Sequence, residues 1–132
     1  MGIKFLKISV VYFFIGIGFG IFMSSTLKFQ YAPSHAHINL LGWTSLALAG
    51  IIYYLFPAIA DNRLGKIHFW LHNVGLPIMM AGLILLESGV TSAEPVIAIG
   101  ASIMSIGIVC FVINVLFKLK DTSQASTKKE IA

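Results

Sequence analysis

The chain has 132 residues, 58% hydrophobic and 11% charged, with a formal net charge of +4 and a mean hydropathy of +0.91. A soluble domain carries about 25% charged residues, so a water-soluble fold is excluded and a chain immersed in lipid is indicated. The positive charges lie at the borders of apolar runs, where they report topology rather than nucleic-acid binding, and the single cysteine, Cys110, rules out an internal disulfide and a CxxCH haem attachment.

Asp, Glu, Lys and Arg leave four uncharged runs, at 8–27, 29–60, 67–86 and 95–117. Each holds the roughly 20 residues needed to cross a hydrocarbon core about 30 Å thick. The expected fold is therefore all-α and polytopic, with transmembrane helices at about 8–28, 33–56, 66–86 and 95–117. They form one domain over residues 1–120, followed by a Ser/Thr/Lys-rich tail, 121–132, expected to be disordered.

Lys4 and Lys7 precede the first span, and this start resembles a signal peptide. FMSSTLK offers no small-x-small cleavage site, so a retained helix is expected. Gly16, Gly18 and Gly20 have neither the preceding strand nor the following acid of a dinucleotide-binding loop. Gly16-xxx-Gly20 reads as a small-residue face for close helix packing.

The second span lies in the longest stretch without a charge and contains HAHINLLGW, His35 to Trp43. Pro33 suits a first helical turn, where its missing N–H costs nothing. Imidazoles within an apolar span are functional-site candidates by default. On a helix, positions i and i+2 lie about 200° apart, so His35 and His37 point to nearly opposite sides of one rod. One helix cannot easily offer both to one metal, but it can supply one ligand to each of two neighbouring sites. Two readings stand: neutral interfacial histidines bonded to backbone or water, or axial ligands of haem. Zinc would want four tetrahedral ligands, and this region offers no third. Asn39 and Trp43 continue the His35 stripe, and Asn39 either orients a ligand histidine or makes a helix–helix hydrogen bond. Tyr53 and Tyr54 are expected at the membrane interface.

Pro57 stops this helix, and the short polar link 58–65 makes the second and third spans an antiparallel hairpin. The third span carries His68, Trp70, His72 and Asn73, with Pro77 as a kink candidate. His68 and His72, at i and i+4, share a face roughly 15–20 Å below His37 by the rise of a helix. They form either a second metal site or, for His68 above all, a plain interfacial group. Glu87 to Glu94 make a short loop. The fourth span carries Gly100, Ala101, Ser105 and Gly107 on a packing face.

Lys4, Lys7, Arg63, Lys66, Lys118, Lys120, Lys128 and Lys129 fall on one side, against Lys28, Glu87 and Glu94 on the other. The positive-inside rule then puts both termini in the cytoplasm, the protein in the cytoplasmic membrane, and the His pair near the outer face.

AHINLLGWTSLALAGIIYYLFP followed by GKIHFWLHNVG resembles the third repeat of the haem-copper oxidase catalytic subunit. An H-x-H helix there closes on aromatic-Pro and is followed by a K-I-H-F helix. The resemblance covers about residues 31–75, including the interval from His37 to Pro57. It implies an arrangement of four-helix repeats about a pseudo-threefold axis, of which this chain supplies one. A homotrimer would rebuild the ring with true symmetry. His35 resembles the ligand of the family's catalytic haem and His37 that of its low-spin haem. In a threefold ring, each gap would then receive His35 from one protomer and His37 from the next. Where the family's copper site needs two adjacent histidines, this chain reads His68-Phe69-Trp70-Leu71-His72, and the family's redox tyrosine has no counterpart. Oxygen reduction and proton pumping are therefore not implied. The resulting expectation is a trimeric b-type cytochrome in lipid, transferring electrons with an unidentified redox partner. The rivals are a haem enzyme acting on nitric oxide or oxygen, a haem-delivery, haem-sensing or oxidase-assembly protein, and a structural membrane protein without cofactor.

Overall fold

A computed structural model describes residues 1–119; the tail expected at 121–132 lies outside the described residues. Four long helices carry the fold: α1 (Gly2–Thr26), α2 (Phe29–Leu55), α3 (Arg63–Glu87) and α4 (Glu94–Lys118). Each lies in a segment long and apolar enough to cross a membrane. α1 takes in Lys4 and Lys7, and α3 takes in Arg63 and Lys66, so these helices run past the uncharged stretches. A helix satisfies its own backbone and stops only where a local signal ends it. Leu27, in the left-handed region at φ 56°, closes α1. Phe56 and Pro57 close α2, and Asn62 opens α3 by accepting a hydrogen bond from the Gly65 N–H at 2.9 Å.

α2 is not uniform. A 3-10 turn, Phe29–Tyr31, leads into an α-helical stretch, Ala32–His37, with Pro33 in its first turn. A π-helical stretch, Ile38–Thr44, follows, and the α-helix resumes over Ser45–Leu55. The wider winding disturbs the usual backbone pairing, and two carbonyls there accept from side chains. Ser45 Oγ donates to the Leu40 oxygen at 2.8 Å, and His72 Nε2 donates to the Leu41 oxygen at 3.1 Å. Such π segments occur frequently at functional sites.

The tightest packing is within α1/α2 and within α3/α4. α2 and α3, which the short link marks as a hairpin, touch more lightly. The reason lies in the glycines. A Cβ on Gly75 would stand 2.5 Å from the Met104 nitrogen, and one on Gly82 would stand 2.8 Å from the Ile97 nitrogen. Gly100 and Gly107 meet α3 from the other side, so the small-residue face expected on the fourth span is the α3/α4 contact. The link is itself partly helical, over Pro57–Ala60, and Asn114 of α4 ties it down by donating to the Ile59 oxygen at 2.6 Å.

Buried Phe5, Leu46, Tyr53 and Ile59 form one core cluster, and Ile38, Leu76, Met79 and Met104 form another. The outward surface is apolar too: Phe14 is 78% exposed and Phe117 is 74% exposed. That is a surface suited to hydrocarbon rather than water.

Candidate functional site

The two histidines of HAHINLLGW sit in the first α-helical turns of α2, and the end of α3 holds that turn in place. Glu87 accepts from the Ser34 N–H at 3.1 Å and from Ser34 Oγ at 2.5 Å, and Ser34 is fully buried. Tyr31 and Ser88 are hydrogen-bonded hydroxyl to hydroxyl at 3.0 Å. A carboxylate at a helix start pairs with otherwise orphaned N–H groups and with the positive end of the helix dipole. The backbone carrying His35 and His37 is thus clamped by the neighbouring helix.

The two rings differ in their surroundings. His37 Nδ1 donates to the Pro33 oxygen at 2.8 Å, since a carbonyl can only accept. That bond fixes the tautomer and leaves Nε2 as a lone-pair donor on a partly exposed ring. His35 has a buried Nδ1 with no hydrogen-bond partner among the described residues. Its ring lies over Gly20 of α1, where a Cβ would stand 3.0 Å from His35 Cε1.

Asn39 and Trp43 share the side of α2 that faces α1. The Asn39 amide packs against Gly16 and donates to the His35 backbone oxygen at 2.8 Å. Asn39 therefore holds the helix rather than the imidazole. Trp43 packs against Phe13 with the rings tilted at 32° and their centroids 4.7 Å apart. The Gly16-xxx-Gly20 face of α1 accordingly packs against Asn39 and His35, which joins the packing reading of those glycines to the histidine stripe.

His68 and His72 are separate from this pair and deeply buried, at 2% and 1% exposure. Their rings meet edge to face at 5.4 Å. His68 Nδ1 is hydrogen-bonded to the Tyr53 hydroxyl at 3.0 Å. Tyr53, expected at the interface, is 1% exposed and packs among Phe5, His68 and Phe111, whereas Tyr54 is 60% exposed. His72 braces the π segment through the Leu41 oxygen and keeps an unpartnered, buried Nδ1. Among the described residues no three His, Cys, Asp or Glu side chains gather as a metal-binding cluster.

The profile of the family described as cytochrome c and quinol oxidase polypeptide I matches residues 28–93. That segment is half of the chain and holds α2, its clamp and all of α3. The chain belongs to this family. It is 30% identical over 101 residues to cytochrome c oxidase subunit 1 of Corynebacterium efficiens, covering 62% of this chain and 17% of that one. The same subunit of Corynebacterium glutamicum is 41% identical over 66 residues, covering 42% and 11%. A probable cytochrome c oxidase subunit 1-beta of Nocardia farcinica is 31% identical over 103 residues, covering 64% and 17%. The chain thus spans less than a fifth of the length of these curated relatives. No solved structure matches. Family membership and four helices able to span a bilayer together fit a multi-pass membrane protein.

Sequence reasoning missed the Ser34–Glu87 clamp, the Tyr53–His68 bond and the bracing of Leu41 by His72. A lone carboxylate at the end of the third span hinted at the first. The other two depend on how α2 faces α3, which neither sequence segment carries alone.

Proposed function

We propose that this protein is a small b-type cytochrome, a homotrimer of the cytoplasmic membrane in which haem is held between protomers. Relatives named as cytochrome c oxidase subunits support a haem role in electron transfer. The observation that carries the reading is the contrast between the two rings. His37 is oriented by the Pro33 carbonyl through Nδ1, and the buried Nδ1 of His35 has no hydrogen-bond partner among the described residues. Both offer what a haem ligand requires, an imidazole nitrogen not taken up by a hydrogen bond among the described residues. Bound haem supplies a one-electron couple. The chain's part is to orient both imidazoles, with Glu87 fixing their backbone, Gly20 giving the His35 ring room, and the apolar face of the bundle excluding water. Two positions apart on one helix, the rings serve different clefts, so one protomer offers His35 and its neighbour His37. The charge distribution supports cytoplasmic termini, which would leave this end of α2 at the opposite face.

The test is the absorption spectrum and haem content of the purified protein beside His35→Ala and His37→Ala. Sharp reduced bands that vanish in either variant agree with shared ligation, and full haem in both variants refutes it. The unpartnered Nδ1 of His35 favours one second reading, a haem that opens a coordination position for nitric oxide or oxygen. Tight CO binding by the ferrous protein would select it, and weak binding selects electron transfer.

A further inference from the structure

The π segment Ile38–Thr44 follows directly on the turn that carries His35 and His37. Ser34, Ile38, Gly42 and Leu46 recur at every fourth residue, and all four are buried. Ser34 bonds to Glu87 of α3, Ile38 shares a core cluster with Leu76 of α3, Gly42 meets the Tyr12 ring of α1, and Leu46 shares a cluster with Phe5 of α1. They therefore lie on the side of α2 that α1 and α3 cover. Ser34 and Leu46 are twelve residues apart, so on an unbroken α-helix, at about 100° per residue, their directions would differ by about 120°. The wider winding, with bonds from i to i+5, takes up this drift. Were the segment to wind as an α-helix while the rest of α2 kept its packing, the histidine turn would swing by about a third of a turn. His35 would leave Gly20, and Ser34 would leave Glu87.

π winding is rare, and here side chains support it. The Leu40 oxygen accepts the Ser45 N–H, five residues on, and also Ser45 Oγ at 2.8 Å. The Leu41 oxygen accepts from Nε2 of His72 at 3.1 Å. Ser45 belongs to α2 and turns with it, so it cannot fix the direction of that helix. His72 belongs to α3, is 1% exposed and is wedged edge to face against His68, so it is a fixed point outside α2. In lipid no water replaces a lost partner, which makes this donor matter more than the same bond would in water. We infer that His72 is a positioning residue: by holding the Leu41 carbonyl it keeps α2 in its wide winding and so sets the direction in which His35 and His37 leave the helix. The inference deepens the haem reading and rests on it only for what the two imidazoles bind, since the direction of the turn belongs to the chain itself.

The inference requires the donor rather than the ring, and the test separates the two. Gln brings an amide N–H to about the place of His72 Nε2, Asn is one bond too short to do so, and Met fills space without a donor. Spin labels are attached at Ala36→Cys, exposed between the two histidines, and at Ile99→Cys, exposed on α4 at the same end of the bundle, in a Cys110→Ser chain. The full chain is studied in lipid nanodiscs, diluted with unlabelled chain so that pulsed electron resonance reads distances within one copy. Side chains stand about 5 Å from a helix axis, so a swing of a third of a turn carries the first label about 5 Å or more. His72→Met is expected to shift or broaden the distance on that scale, and His72→Gln to keep the parent's distance. His72→Asn takes the place of the Met variant if that one does not fold. Where haem is bound, the low-spin ferric g values, which depend on the angle between the imidazole planes, should change in His72→Met and return in His72→Gln. The parent's distance in the variants without a donor, or a shift in His72→Gln as large as in His72→Met, overturns the inference. A colourless protein whose label distance follows the donor upholds the inference and defeats the haem reading. Bis-histidine haem with a distance indifferent to the donor does the reverse.

Discussion

His35 and His37 are separated by one alanine and by quite different company. The helical period alone sets them on opposite sides of α2, and so much was legible in the sequence, as was Pro33 at the start of the turn. The packing of Gly20 against His35 was not, because a glycine in an apolar span announces a close approach without naming the neighbour. With the neighbour known, a sharp prediction follows. A Cβ at Gly20 would already touch the His35 ring at 3.0 Å, while a Cβ at Gly18 meets nothing within 4 Å. Gly20→Val should therefore push the imidazole aside and weaken haem retention about tenfold or more, the usual scale for disturbing a ligand's support. Gly18→Val should retain haem like the parent. Haem-to-protein ratios of the two purified variants decide the matter, and equal ratios would separate Gly20 from the site.

At the scale of helices, charge placement gave the four spans, and Pro33 and Pro57 gave the ends of the second. Which helices pair closely was not readable. A helix apolar all round has no stripe to distinguish a partner from lipid, and in lipid the contacts form where small residues let backbones approach. The π segment escaped notice for a related reason: its freed carbonyls are answered from Ser45 within α2 and from His72 across the bundle, and the second exists only in the folded state. Tyr53 looked like an interfacial ring because tyrosine near the end of a span is one. His68, fifteen residues on along the chain, draws it inside. The glycine contact itself can be tested. In Gly75→Leu the new side chain meets the Met104 and Gly100 backbones, which cannot swing away as a side chain would. Overpacking of this kind typically costs about 1–3 kcal/mol, and α3 and α4 should separate at correspondingly lower denaturant. Gly18→Leu, facing open space, should unfold like the parent. Unfolding curves in detergent followed by circular dichroism provide the comparison.

For the whole molecule, the family's profile covers half of the chain, and the matched stretch takes in only 17% of the length of two of the relatives. One four-helix unit with the H-x-H pair becomes a complete haem site, on our account, only when copies of it close a ring. That claim separates from all others by complementation. His35→Ala and His37→Ala subunits carrying different affinity tags are expressed separately and together, and the doubly selected mixed assemblies are examined for haem. If ligation is shared, each variant alone is colourless, while every mixed trimer has one cleft in which an intact His35 faces an intact His37. Mixed assemblies should then regain the reduced bis-histidine spectrum at about a third of the parent's haem content, as the threefold arrangement requires. Mixed assemblies as colourless as either variant alone, or a single variant that keeps its full haem, would contradict the account.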